Sequence, residues 1–317
     1  MKRKVSQIGP ATLMVSLPAK WLRQHNVKKG DEMEILEQQG GLFLRIDSKS
    51  NPEILKTSID IHKLGNLAKR AMGALYKAGY DEIEVFFQSE KEFKIVQITS
   101  EDLIGFEIIN QRKSSCTLKE LSSISDVDFN NILNRIFFLQ LSIADDALGA
   151  IKDDNWGMLP SLVQRDDSVN RFANYCRRFL NKVGHKDRIT NTMMYYIVNE
   201  LENTGDIYKE FLEYVVTNKI QKIDKKIIDV LELDNKLLRL FYSLVSNYSN
   251  DKAIDYTNLR TRIKKNVLDL YDDNQITKSK HNIILLNFLL AISEKLIEML
   301  SALLPIRVAE ENLIEKK

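Results

Sequence analysis

Three stretches of the chain differ in hydrophobic period. In the first, residues 1–46, apolar positions alternate in short runs. KVSQIG and TLMVSL predict strands around Gly9-Pro10, and EMEILEQ and LFLRID predict two more joined by Gln39-Gly40-Gly41. Between the pairs, Pro18 opens a short helix, PAKWLRQH, where its missing N–H would have had no partner anyway. VKKGDE predicts a turn at Gly30. Residues 47–58, DSKSNPEILKTS, are polar, contain Pro52 and read as a linker.

The second stretch, residues 59–125, mixes periods. IDIHKLGNLAKRAMGALYKAGY has helical spacing and ends near Gly79. DEIEVFF, FEIINQ and SCTLKEL read as strands, and Thr99-Ser100-Glu101-Asp102 reads as the capping start of a turn or helix. From about residue 126 the period is 3.6 to the end, in six segments: 128–152, 156–182, 188–218, 223–249, 253–273 and 279–306. Loops such as KVGHKD and DDNQ are short, which predicts neighbouring antiparallel helices in one bundle or two.

Composition agrees with a mainly α chain: 317 residues hold only 12 glycines and 5 prolines. The net charge of +2 is unevenly placed. Residues 1–50 hold nine Lys/Arg against five Asp/Glu, a local +4 that leaves −2 for the remainder. The most apolar run, IILLNFLLAI, is interrupted by Ser293-Glu294-Lys295, too short for a membrane span. No signal-peptide pattern follows MKRKVSQIG, so the expectation is a cytoplasmic protein. Cys116 and Cys176 are too few for a disulfide framework and are expected to be inert. His25, His62, His185 and His281 are scattered; there is no HExxH, no Glu-x-x-His, no P-loop and no GxGxxG after a strand. No enzyme activity is expected.

One helix carries an unusual flank. In MMYYIVNELENTGDIYKEFLEYVV, the positions Met194, Ile197, Val198, Leu201, Gly205, Tyr208, Leu212, Val215 and Val216 share one face. Gly205 therefore lies on the core side, where a missing side chain lets another helix approach. Glu202 and Asp206, with Lys209 and Glu213, flank that face, although like charges four apart repel by a few tenths of a kcal/mol, about 0.2–0.5. In LVQRDDSVNRFANYCRRFL, the stripe Leu162, Val169, Ala173, Cys176 and Leu180 is likewise flanked by Asp166 and Asn170. Two oxygen-bearing stripes on facing helices can converge on a cation, or the carboxylates can pair with Lys209, Arg171 and Arg177.

Two resemblances follow from these residues. KRKVSQIGPATLMVSLPAKWLRQHNVKKGDEMEILEQQGGLFLRI resembles the AbrB/MazE/SpoVT family of swapped-hairpin DNA-binding domains, in its basic start, Gly9, the V-S-L-P run and the V-K-K-G-D turn. That resemblance implies a β-barrel built by two chains exchanging hairpins, and DNA contacts from Lys2, Arg3, Lys4, Lys20 and Arg23. LENTGD resembles the L-E-R-I-G-D signature of the PhoU family of phosphate-uptake regulators, and RDDSVNRF resembles the D-x-x-(I/V)-N helix of that family. It implies tandem three-helix bundles and a metal site for iron, zinc or another divalent ion at Glu202, Asp206, Asp166 and Asn170. The matching stretch of the second bundle is LLAISEKL, with Leu290 and Ser293 in place of the first carboxylate and the glycine, so one site is expected.

The fused order resembles a group of archaeal regulators. The expected domains are a swapped-hairpin module at 1–47, a small α/β module at 59–125, and helical bundles at 126–219 and 220–317. The expected function is DNA-binding regulation of phosphate uptake by a homodimer, with no insertion into a membrane. The alternative is a PhoU-type adaptor that uses the β module only to dimerise and acts by contacting a phosphate-transporter ATPase or a sensor protein.

Overall fold

The computed structural model describes residues 2–24, 26–38, 41–46, 54–122, 126–185 and 187–315. His25 and most of the Gln39-Gly40-Gly41 turn lie outside the described residues. The chain divides into two compact units, Met1–Ile54 and Leu55–Lys317.

The first unit holds β1 (Val5–Gly9), β2 (Thr12–Val15), α1 (Ala19–Gln24), β3 (Met33–Gln38) and β4 (Gly41–Ile46). β1 pairs antiparallel with β2, setting Val5 opposite Val15 and Gln7 opposite Leu13; β3 pairs antiparallel with β4. None of the described positions of these strands is buried within the chain. Val5, Ile8, Leu13, Ile35 and Leu42 are each between 59% and 69% exposed. Lone two-stranded hairpins are marginal in water, and these two leave their apolar faces open.

The second unit begins with a four-stranded mixed sheet. Its strands are β5 (Lys56–Asp60), β6 (Glu82–Phe86), β7 (Phe106–Ile109) and β8 (Ser115–Glu120), in spatial order β5-β6-β8-β7. β5 runs parallel to β6, and the other pairings are antiparallel. α2 (Ala68–Lys77) and α3 (Glu90–Glu101) supply the helical side of its core, where Met72, Tyr76, Ile83, Val85, Val96 and Leu118 are wholly buried. Two expectations are corrected here. Residues 56–58 belong to β5, not to a linker, because β6 gives their backbone groups a parallel partner. Thr99–Glu101 end a helix instead of starting one. The true start is Ser89, whose Oγ accepts from the Glu92 N–H, while Glu92 accepts from the Gln88 N–H at 2.7 Å.

The remaining helices are α4 (Asp126–Lys152), α5 (Leu159–Lys182), α6 (Arg188–Thr217), α7 (Lys225–Ser246), α8 (Asn250–Tyr271), the one-turn α9 (Asn274–Thr277) and α10 (Lys280–Glu315). Asp187, Asp224 and Ser249 cap α6, α7 and α8 by accepting a backbone N–H from the first turn. α10 continues through Pro305 beyond its expected end at 306. α4, α5 and α6 pack as one three-helix set and α7, α8 and α10 as another; the sets meet through α6 on α10 and α4 on α7. Their apolar stripes join in one continuous core. Every residue of the α5 stripe is buried, and in the α6 stripe only Met194 and Val216 are partly exposed.

Gly205 does what its place on the stripe predicts. A Cβ there would lie 2.9 Å from Gln140 Nε2 and 3.1 Å from Asp166 Oδ1, so α4 and α5 approach α6 over bare backbone. The buried Gln140 amide uses that approach to donate to the Leu201 carbonyl. Both cysteines are buried and free; burial pushes the Cys116 thiol up to about 11 and the Cys176 thiol higher still. Among the described residues no helix is long and apolar enough to cross a membrane.

Candidate functional site

Two places bring chemistry-bearing side chains together. The first is the basic segment of the N-terminal unit. Lys2, Arg3 and Lys4 precede β1, and Lys20 and Arg23 lie on α1; all five are exposed. Arg23 Nε donates back to the Ala19 carbonyl at 3.3 Å, holding that side chain along the helix. The β1–β2 hairpin runs into α1 through Ser16-Leu17-Pro18, so both basic groups belong to one hairpin–helix segment.

The second is a cleft of about 650 Å³ in the larger unit, walled by α2 and the end of α3 on one side and by α5 and α6 on the other. Its walls are held together by one residue of α5. Arg178 is fully buried. It donates to the Tyr76 and Tyr80 carbonyls at 2.8 and 2.7 Å and to Asp81 and Glu120 at 2.9 and 3.0 Å. Its guanidinium also lies 5.0 Å from the Tyr76 ring centre and 4.8 Å from that of Phe106. Lys182, one turn on, pairs with the same two carboxylates. Burial alone would raise the Asp81 carboxyl, but the Lys182 ammonium and the Leu55 N–H outweigh it and hold the group below its usual range. Gly79, at φ +96°, ends α2; a Cβ there would lie 3.4 Å from Lys182 Cβ, and the backbone would strain any side chain.

The oxygen-bearing flanks of α5 and α6 line this cleft or lie beside it. The structure divides the four residues expected to bind metal. Glu202 accepts from Arg177 at 2.9 Å. Asp166, Asn170 and Asp206 form a separate group: the Asn170 amide donates to Asp166 at 2.9 Å, and Lys209 reaches Asp166 at 3.4 Å. Burial, then the Asp206 charge, pushes the Asp166 carboxyl up to about 6 despite Lys209. Burial, then Glu202, raises Asp206 as well. Among the described residues no group of three or more His, Cys, Asp or Glu side chains is placed to hold a metal ion. As folded, Arg177 and Lys209 already supply positive charge to this donor set.

The pairing of Glu202 with Arg177 and of Asp166 with Lys209 follows the ion-pair reading of these stripes. Sequence reasoning missed Arg178, Arg70 and Lys77, and named Arg171 and Arg177 only as ion-pair partners. An arginine inside a helical stripe signals nothing locally when its partners lie 58 to 102 positions away. The described histidines are scattered, as expected. His62 pairs with Glu92 at 2.9 Å, His281 meets the Tyr214 hydroxyl at 2.8 Å, and His185 packs edge-on against Phe129.

Comparison with known proteins bears on both units. Residues 7–53 match the family described as "Antidote-toxin recognition MazE, bacterial antitoxin". Over 204 residues the chain is 22% identical to a protein of Sulfolobus acidocaldarius named "Putative HTH-type transcriptional regulatory protein". That similarity covers 62% of this chain and 64% of the relative, so it spans less than two-thirds of the relative's length. No solved structure matches. The N-terminal unit is thus MazE-like in sequence, followed by a larger, mostly helical unit.

Proposed function

We propose that the chain is a DNA-binding transcriptional regulator of phosphate uptake that works as a homodimer. The observation that carries this reading is the N-terminal unit: an exposed basic hairpin–helix segment whose strands bury nothing within one chain. A second copy that exchanges hairpins would cover the open faces of Val5, Leu13, Val15, Ile35 and Leu42 in a shared barrel, and would double the number of lysines and arginines that can meet phosphates. The MazE-like match over residues 7–53 and the regulatory name of the relative support the same reading. In it Lys2, Arg3, Lys4, Lys20 and Arg23 contact DNA, the helical unit senses the phosphate state of the cell without catalysing a reaction, and the PhoU-like LENTGD and RDDSVN stretches belong to that sensing part.

The test is a mobility-shift titration on DNA upstream of phosphate-transport genes, run as a salt series. Binding at low salt should weaken steeply as salt rises, since each phosphate contact adds about 0.9 to the slope of log K against log salt. Lys4→Glu with Arg23→Glu should abolish the shift while light scattering still reports a dimer. No binding at low salt, or an unchanged shift in the double variant, would overturn the DNA reading. Retention of a transporter ATPase or sensor kinase without any DNA shift would favour the adaptor instead.

A further inference from the structure

We propose that the cleft between α2 and α5–α6 binds a small hydroxylated organic anion of the sugar-phosphate class. Its volume of about 650 Å³ falls within the range of roughly 300–1,000 Å³ typical of small-molecule sites. The balance of charge along its walls is the first argument. Asp102 is paired with Lys69 at 2.9 Å, and Glu202 with Arg177 at 2.9 Å; Asp167 shares Lys209 with Asp166, at 3.8 and 3.4 Å. Three further cations line the cleft: Arg70, Lys77 and Arg171. Among the described residues none of them has a carboxylate within ion-pairing distance. The remaining carboxyl, Asp206, raised by burial and by Glu202, offsets at most one of these three charges. Lys77 reports the resulting field: burial, then the Arg177 charge, with Arg70 behind it, outweighs the opposing Glu202 charge and lowers its ammonium below the usual value. An anion placed among these groups would relieve that repulsion.

The second argument is unmet hydrogen bonding. Arg177, only 4% exposed, keeps its Nε buried without a partner, and Asn170 keeps its Oδ1 buried without one. Both side chains line the cleft. A buried donor and a buried acceptor left unmade are costly, and a ligand that carries both hydroxyl and oxyanion groups matches walls of that polarity. The third argument is what the lining lacks. It contains no aromatic ring, and its apolar members are confined to Gly73 and Leu103. A nucleobase would find no stacking surface there, whereas a polyol body suits asparagine-rich walls. Because the cleft is shared by the α/β layer and the helices, such a ligand would touch both. This inference stands apart from the DNA reading and does not depend on it.

Isothermal titration of the full chain tests it, with glucose 6-phosphate, glucose and adenosine monophosphate as probes. Glucose 6-phosphate should give saturable heat, and the other two should bind more weakly. Arg70→Gln with Arg171→Gln should weaken glucose 6-phosphate on the order of tenfold per guanidinium removed. Both side chains are exposed, so the melting temperature of the variant without ligand should not move. Absence of saturable heat with glucose 6-phosphate would overturn the proposal, as would equal affinity for glucose, equal affinity for adenosine monophosphate, or an undiminished affinity in the double variant.

Discussion

Helix α5 carries two polar constellations three turns apart, and they are opposites. Around Arg178 all but its Nε is satisfied: two carbonyls, two carboxylates and two aromatic faces meet one guanidinium, and Lys182 supplies the second charge. Around Asp166 and Asn170 an oxygen of each side chain is buried without a partner; the Asp206 charge raises Asp166, and the Glu202 charge raises Asp206. Both lie on the same helix at similar depth. The difference separates a joint, which fixes the α/β layer to the helices, from a flank whose polar groups are left unfinished beside an open cleft. Charge and burial alone do not mark a functional place; an unfinished hydrogen-bond set next to solvent does.

Arg178→Met breaks the joint most directly. It leaves Lys182 as the one cation on Asp81 and Glu120 and strands the Tyr80 carbonyl, while the Tyr76 carbonyl keeps the Gly79 N–H. Removing one member of a buried charge network costs about 3–5 kcal/mol. Lys182 still neutralises part of the charge, so about 3 kcal/mol is expected, or a fall in melting temperature of roughly 6 °C or more. Limited proteolysis should then cut first between the α/β layer and α4. A loss under about 1 kcal/mol in urea unfolding would mean that Lys182 suffices and that the joint is not centred on Arg178.

Gly205→Ala probes the boundary between the two. Alanine favours a helix interior by about 1 kcal/mol. Against that, the new Cβ would meet Gln140 Nε2 at 2.9 Å and Asp166 Oδ1 at 3.1 Å. Moving Gln140 breaks its buried bond to the Leu201 carbonyl at a cost of about 1–3 kcal/mol, with overpacking adding about 1–3 more. The net expectation is a loss of about 2 kcal/mol by urea unfolding. A stabilised variant would show that the close approach of α4 and α5 to α6 is dispensable.

How far the sequence foretold these places depends on the range of the interactions. The long helices were legible because the 3.6 period persists over many turns and their caps are local: Asp187, Asp224 and Ser249 stand at the starts of α6, α7 and α8. Gly205 was legible for the same reason, since its face follows from its neighbours on α6. β5 was not, because a five-residue strand next to Pro52 is fixed by β6, more than twenty positions away. α3 was hidden by its β-branched and charged mixture, although Ser89-x-x-Glu92 carried the capping signal. Glu202 and Asp206 were found as a pair on one flank, but which cation each would meet depended on the packing of α5. Arg178, Arg70 and Lys77 had no local signal at all, and Arg171, read as an ion-pair partner, is unpaired among the described residues.

The smallest expected effect tests the unfinished side through pH. Asp166 has a folded pKa of about 6, above its unfolded value of about 3.9. The native state therefore binds that proton more tightly than the unfolded chain. Its contribution is fully present below about pH 4 and is lost as pH rises through about 6. Asp81, held low by Lys182, has the opposite sign: its contribution is present above its unfolded pKa and is lost as pH falls below it. The two windows meet near pH 4 without overlapping, so one titration separates them. Urea unfolding followed from about pH 4 to pH 7 should show stability falling with pH in the native chain, by on the order of 1–2 kcal/mol from Asp166 once the nearby Lys209 is allowed for. Asp166→Asn should reduce that slope by the Asp166 share, leaving what the raised Asp206 and Asp234 contribute, and leave the loss below pH 4 unchanged. If the slope between pH 4 and 6 is the same in the variant as in the native chain, Asp166 is solvated or paired like Asp81, and the contrast between the two ends of α5 disappears.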